Sequence, residues 1–275
     1  MNQKLGVMQG RLLPKYKGRF QAHPVNLWQK EFPIARSLGL RNIEFILDFE
    51  GSSDNPLMTS SGKREILELS KNHNIEVKSI CADYFMDAPF HSENDKISKG
   101  SINLLKKLVS NAKDLNVTNI VIPCVDKSSI SKKKDLYNFL KCMEPITQFL
   151  EDQKINICLE TDLEPKKFKT LLEDLNSKIF KVNYDIGNSA SMGFDPFEEF
   201  NSYGDLITDV HIKDRKFQGK SIFLGKGDAK IFECLNYFKK VNYQGLFILQ
   251  AYRDNLGLEI FKKQLMWLRE NFELN

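Results

Sequence analysis

The sequence predicts a single (β/α)8 barrel spanning residues 1–275, an α/β fold of the TIM-barrel class. Three observations lead there. Eight short apolar runs are spread along the chain. Longer stretches with helical apolar spacing separate them, and eight strand–helix units need about 250 residues. The rival, a doubly wound open sheet, should carry a glycine-rich phosphate turn after its first strand. The first turn here is Gln9-Gly10-Arg11, which is no such turn.

The strand-like runs are 5–9, 42–47, 75–82, 119–124, 155–160, 180–185, 208–213 and 245–250. Each is short, rich in β-branched residues and bounded by polar or turn residues. Several are apolar throughout, as strands buried on both faces should be. Helical spacing runs over 27–38, 98–115, 132–153 and 256–271. Pro33 falls inside the first of these and either starts or kinks it. Asp195-Pro196 has the form of an N-cap followed by proline at the first helical position. Gly39 and Gly204 read as helix stops. Lys132–Lys134 reads as the solvated start of a helix. No linker and no low-complexity segment divides the chain.

Composition narrows the function. Hydrophobic residues make up 41% of 275, enough for a large core, and the formal net charge is only +4. That mild excess suits an acidic small molecule and is far from what a nucleic-acid binder carries. No apolar run reaches the ~18 residues of a membrane helix. The N-terminal MNQKLGVMQGR lacks the apolar stretch of a secretion signal. The five cysteines include no CxxC pair and read as small buried thiols in a reducing cytoplasm. A cytoplasmic protein is expected, with no nucleic-acid or membrane partner. Homo-oligomerisation is left open.

Chemistry concentrates at four strand ends. Glu160, Asp185, His211 and Gln250 close the fifth to eighth runs. In one parallel barrel they would converge at the C-terminal mouth, where such barrels place their active sites. Three oxygen donors and one imidazole suit Mn, Mg, Fe, Co or Zn as a divalent ion. Strand alternation puts Cys158, Asn183, Asp209 and Ile248 one layer below and Lys213 above His211. A carboxylate near a strand end is often only a helix cap, and a lone histidine often a core residue. Four such residues on consecutive strands make that reading weaker. Gly225-Lys226-Gly227-Asp228 exposes backbone N–H groups before a helix, either as an anion site or as a plain turn with Asp228 as N-cap. Arg11, Lys213 and Arg215 add positive charge on the same face. Tyr84, Phe85 and Phe90 either wall the pocket or cover the barrel mouth.

These segments together resemble the xylose isomerase-like sugar phosphate isomerase/epimerase family of metal-dependent barrels. The likeness runs through GVMQGRL (6–12), RFQAHP (19–24), EFPIARSLGLRNIEFI (31–46), CADYFMDAPF (81–90), LET (159–161), YDIGN (184–188), VHIKDR (210–215) and LGKGD (224–228). The resemblance implies that Glu160, Asp185 and His211 bind one divalent ion and that Arg215 contacts substrate. Where the epimerases have Asp-x-x-His, Asp185-Ile-Gly-Asn188 stands here. Asn188 can bind a hydroxyl but cannot carry a proton. The largest departure is Gln250, where the epimerases have a second acid/base glutamate. A glutamine cannot accept a proton near neutral pH.

The expected activity is therefore a sugar or sugar-phosphate isomerase. Glu160 would abstract the proton next to a carbonyl. Arg11, Asn188, Lys213, Arg215, Gly225 and Gly227 would bind the substrate. A keto-sugar dehydratase or epimerase of the same family is the alternative, with Asp83 or Glu44 as a second acid. A catalytically silent sugar-binding barrel is another. The nuclease branch needs many histidines, and this chain has only His23, His73, His91 and His211.

Overall fold

A computed structural model of the chain describes residues 5–272. Eight parallel strands close on themselves: β1 (Leu5–Met8), β2 (Asn42–Ile46), β3 (Ser79–Cys81), β4 (Asn119–Cys124), β5 (Asn156–Thr161), β6 (Phe180–Asp185), β7 (Ile207–Ile212) and β8 (Leu246–Leu249). Each pairs with its neighbour in sequence, and β8 returns to β1 with Phe247 opposite Leu5. The predicted barrel is the observed one. A two-residue ribbon, Asp214–Arg215 against Ser221–Ile222, lies outside it.

Alternation divides the apolar residues into two cores. Met8, Ile46, Cys81, Val121, Cys158 and Ile248 fill the barrel interior. A much larger cluster, with Ile120, Ile157, Leu159, Val182, Val210 and Phe247 from the strands, packs against the surrounding helices. All five cysteines are free, and Cys81, Cys124, Cys158 and Cys234 are buried.

The helices follow the expected spacing with three differences. The stretch 132–153 is broken into Lys133–Met143 and Thr147–Gln153 by a 3-10 turn at Glu144–Ile146. Pro145 has no N–H to continue the ladder. The helix Pro196–Tyr203 does end at Gly204, but at φ −55° rather than in the left-handed region; a Cβ there would lie 2.5 Å from the Tyr237 hydroxyl. The helix after β7 starts at Ile231 with Lys230 as its N-cap. Asp228 is not the cap: it accepts from the Phe217 N–H at 2.8 Å and pairs with Lys216. Elsewhere the expectations hold. Pro33 sits in the first turn of Glu31–Ser37, Gly39 has φ +72°, and the Asp195 side chain caps Pro196–Tyr203. No helix among the described residues is long and apolar enough to cross a membrane.

The lower barrel interior is polar. Ser79 Oγ lies 2.5 Å from Glu44 Oε2 and 2.6 Å from Asp209 Oδ2, and Asn119 Nδ2 donates to Asp209 at 3.1 Å. A hydroxyl has one hydrogen to give. Two such short contacts to carboxyl oxygens therefore require a proton on one carboxyl group. Asp209 fits that role: burial, then the nearby Glu44 charge, pushes its pKa up to about 7. An acid with a raised folded pKa keeps its proton in the fold after the unfolded chain has lost it. Its stabilising contribution is full below the usual carboxylate range and is lost as pH rises toward 7. Urea unfolding at pH 5 and pH 7.5 should show the wild type losing more stability across this window than Asp209→Asn. Equal losses would place the proton elsewhere.

Candidate active site

The last four strands each carry an inward polar residue one step above an inward core residue. Asp185 also caps the helix Ile186–Met192, its Oδ1 accepting the Asn188 N–H at 2.8 Å. One ligand atom from each of Glu160, Asp185 and His211 lies within 4.8 Å of the other two. His211 is fully buried, and its Nε2 is 2.8 Å from Glu44 Oε1. With that hydrogen committed to Glu44, Nδ1 presents its lone pair upward. Nδ1 has no hydrogen-bond partner and faces Asp185 Oδ2 at 3.8 Å and Glu160 Oε2 at 3.9 Å. Two carboxylate oxygens and an unpartnered imidazole nitrogen fit a divalent cation.

The charge balance supports the same fit. Burial and then the neighbouring Asp185 push the Glu160 carboxyl up to about 7. Burial also works against charge on Asp185, but Lys213 and His211 outweigh it and hold this carboxyl below its usual range. Burial opposes a proton on His211 as well, yet Glu44, Asp185 and Glu160 together favour one well above the usual range. The carboxyl groups around this imidazole favour positive charge beside it, from a proton or a metal ion.

Gln250 is joined to this group through Lys213, which lies between it and Asp185. Ile248 is level with His211, so Gln250 stands beside Lys213. Lys213 Nζ donates to Gln250 Oε1 at 2.8 Å and forms an ion pair with Asp185 Oδ2 at 2.5 Å. The amide orientation of Gln250 is forced. Gln21 Oε1 accepts from Arg11 Nη2 at 3.0 Å, and arginine can only donate. The Gln250 atom 3.0 Å from that oxygen must therefore be Nε2, which leaves Oε1 for Lys213. Gln21 Nε2 in turn donates to Asp83 at 2.9 Å.

The other expected substrate contacts divide. Asn188 Nδ2 donates to Glu160 Oε1 in a short bond, and its Oδ1 accepts from Arg215 Nη1 at 2.7 Å. Arg215 is itself anchored on the Gly219 carbonyl. These two residues position Glu160. Arg11 is buried, bonded to Phe20 O and Gln21, and stacked on the Phe20 ring. The Gly225–Gly227 turn is not an open anion site. The Gly227 N–H donates to Asp214 Oδ2 at 2.8 Å and the Ala229 N–H to Oδ1 at 3.2 Å. Gly225, at φ +76°, packs against Trp267. A buried carboxylate of the chain already occupies the place a phosphate would take. Phe85 and Phe90 are buried against one another in the helix-facing core, while Tyr84 meets Phe49. Glu44 lies beneath His211 rather than facing the mouth. Gln21 and Gly187 are site residues that strand-end reasoning misses. Gln21 lies in an irregular loop with no periodicity, and the role of Gly187 is the absence of a side chain beneath Lys213.

Comparison with known proteins agrees with this architecture. The Escherichia coli L-ribulose-5-phosphate 3-epimerase is 20% identical over 239 residues, covering 82% of this chain and 83% of that protein. The 2-epi-5-epi-valiolone 7-phosphate 2-epimerase of an Actinoplanes species is 21% identical over 241 residues, covering 86% and 87%. The crystal structure of the IOLI protein, with a bound zinc atom, superposes with a TM-score of 0.76 at 15% identity, covering 99% of this chain and 100% of that one. The family described as "Xylose isomerase-like TIM barrel" matches residues 32–271, and the chain belongs to that family.

Proposed function

We propose that this protein is a divalent-metal-dependent enzyme that isomerises a sugar or sugar phosphate by removing a proton next to a carbonyl. The observation that carries the reading is the unpartnered Nδ1 of His211 facing Asp185 Oδ2 and Glu160 Oε2. A divalent ion held by Glu160, Asp185 and His211 would polarise the substrate carbonyl and offset the charge that develops on its oxygen. The phosphorylated substrates in the names of the two epimerases, and the zinc in the IOLI protein, support the substrate class and the metal. The reaction would take place in the cytoplasm.

The chain's own groups divide the work. Asn188, braced by Arg215, fixes Glu160 Oε1 and leaves Oε2 facing the site. A carboxyl group held through one oxygen, with the other facing the site, can take a proton from the substrate and return it. The Lys213 ammonium brings fixed positive charge to a developing oxyanion. Of the two carboxylates facing His211 Nδ1, Glu160 is the one not committed to Lys213 or to a helix cap. Proton transfer on a single face, as in aldose–ketose isomerisation, follows from that.

Epimerisation is the second reading, favoured by the names of the relatives. It needs a second acid, and Asp83 is the candidate: buried, pushed up by that burial, and joined to Gln250 through Gln21.

Incubation with ketopentose 5-phosphates in deuterated water separates the readings. An aldose carrying solvent label supports isomerisation, and a labelled ketose epimer supports the second reading. Glu160→Gln should lower turnover by at least about 10²-fold in either case. Retained turnover in this variant would remove Glu160 from the chemistry. His211→Ala should lose most of its divalent-ion binding by calorimetry, and unchanged binding would mean that the ion sits elsewhere.

A further inference from the structure

Lys213 brings positive charge to the same oxygen atom of Asp185 that faces the His211 nitrogen. Its Nζ is 2.5 Å from Asp185 Oδ2, while His211 Nδ1 is 3.8 Å from that oxygen. The lysine side chain is only 10% exposed. Its path is built in. A Cβ at Gly187 would lie 2.9 Å from Lys213 Cγ and 3.2 Å from its Cβ, so any side chain there would displace the lysine stem. The second partner is also fixed, because Arg11 and Gln21 hold the Gln250 amide with its carbonyl toward the ammonium.

We propose that Lys213 is an internal cation that competes with the divalent ion for Asp185, and that Gln250 is the partner of Lys213 rather than a metal ligand. The proposal rests on the reading of Glu160, Asp185 and His211 as the metal site. Two buried carboxylates need neutralising in the metal-free protein, and the ammonium meets half of that need. A divalent ion entering the site balances both carboxylates by itself. Lys213 then becomes a like charge a few ångströms away and must withdraw from Asp185, which weakens the ion's hold. A glutamate at 250 would set an oxygen against Gln21 Oε1, where no hydrogen is available. The neutral amide therefore suits the lysine and the Gln21 network together.

The test is Mn²⁺ titration calorimetry on the full chain, with thermal melts in a chelator. Lys213→Met keeps the length of the stem and removes the charge. It should bind Mn²⁺ about tenfold more tightly or better, and should melt below the wild type when metal is stripped. Lys213→Arg, which keeps the charge, should stay close to wild-type affinity. Gln250→Met should bind Mn²⁺ no more weakly than the wild type, a result that stands even if Lys213→Met folds poorly. The proposal is overturned if Lys213→Met binds Mn²⁺ no more tightly than the wild type, or if Gln250→Met weakens binding as the loss of a ligand would. His211→Ala separates the two layers of the argument. Equal binding by the wild type and His211→Ala defeats the metal-site reading and the competition with it. Loss of binding in His211→Ala alongside unchanged affinity in Lys213→Met defeats the competition alone.

Discussion

Four carboxyl groups, from Glu44, Glu160, Asp185 and Asp209, are buried around the single imidazole of His211. Burying one unpaired charge is expensive, and removing one partner from a buried pair typically costs about 3–5 kcal/mol. The arrangement at the barrel mouth answers that constraint. Asp209, its pKa raised by burial and by Glu44, shares Ser79 with Glu44. Glu44 accepts from His211. Asp185 is neutralised by Lys213 and caps a helix. Glu160 is left with neutral hydrogen bonding from Asn188 and a pKa near 7. The group least well neutralised is also the one placed to move protons.

The loops outside the barrel serve this charge balance. Arg215 is tied to the Gly219 carbonyl and so can hold Asn188 in place against Glu160. Asp214, one residue earlier, gathers the turn at Gly227 through two backbone N–H groups. A Cβ at Gly227 would fall 1.8 Å from the Asp214 carboxylate. The glycine therefore serves the close approach of the chain to its own carboxylate. On the opposite side, Arg11, Gln21 and Asp83 form a polar wall whose hydrogen-bond directions settle how Gln250 points.

What the sequence determined by itself is the barrel and the set of residues at its mouth. Apolar runs of strand length alternating with helical spacing leave few ways to bury both faces of a parallel sheet. The two-residue period then sends Glu160, Asp185, His211 and Gln250 inward with Cys158, Asn183, Asp209 and Ile248 below them. Tertiary structure decided the rest, because it depends on how neighbouring strands are staggered and on what distant loops bring in. The stagger between β7 and β8 puts Gln250 level with Lys213 rather than with His211. Gln21 arrives from the loop after β1, more than two hundred residues before its partner Gln250. The N–H groups of Gly227 and Ala229 are taken by Asp214, whose position no local pattern specifies. Local periodicity says which way a side chain points along its own strand. Which atom waits opposite it is a property of barrel closure, and the chemistry of this mouth is set there.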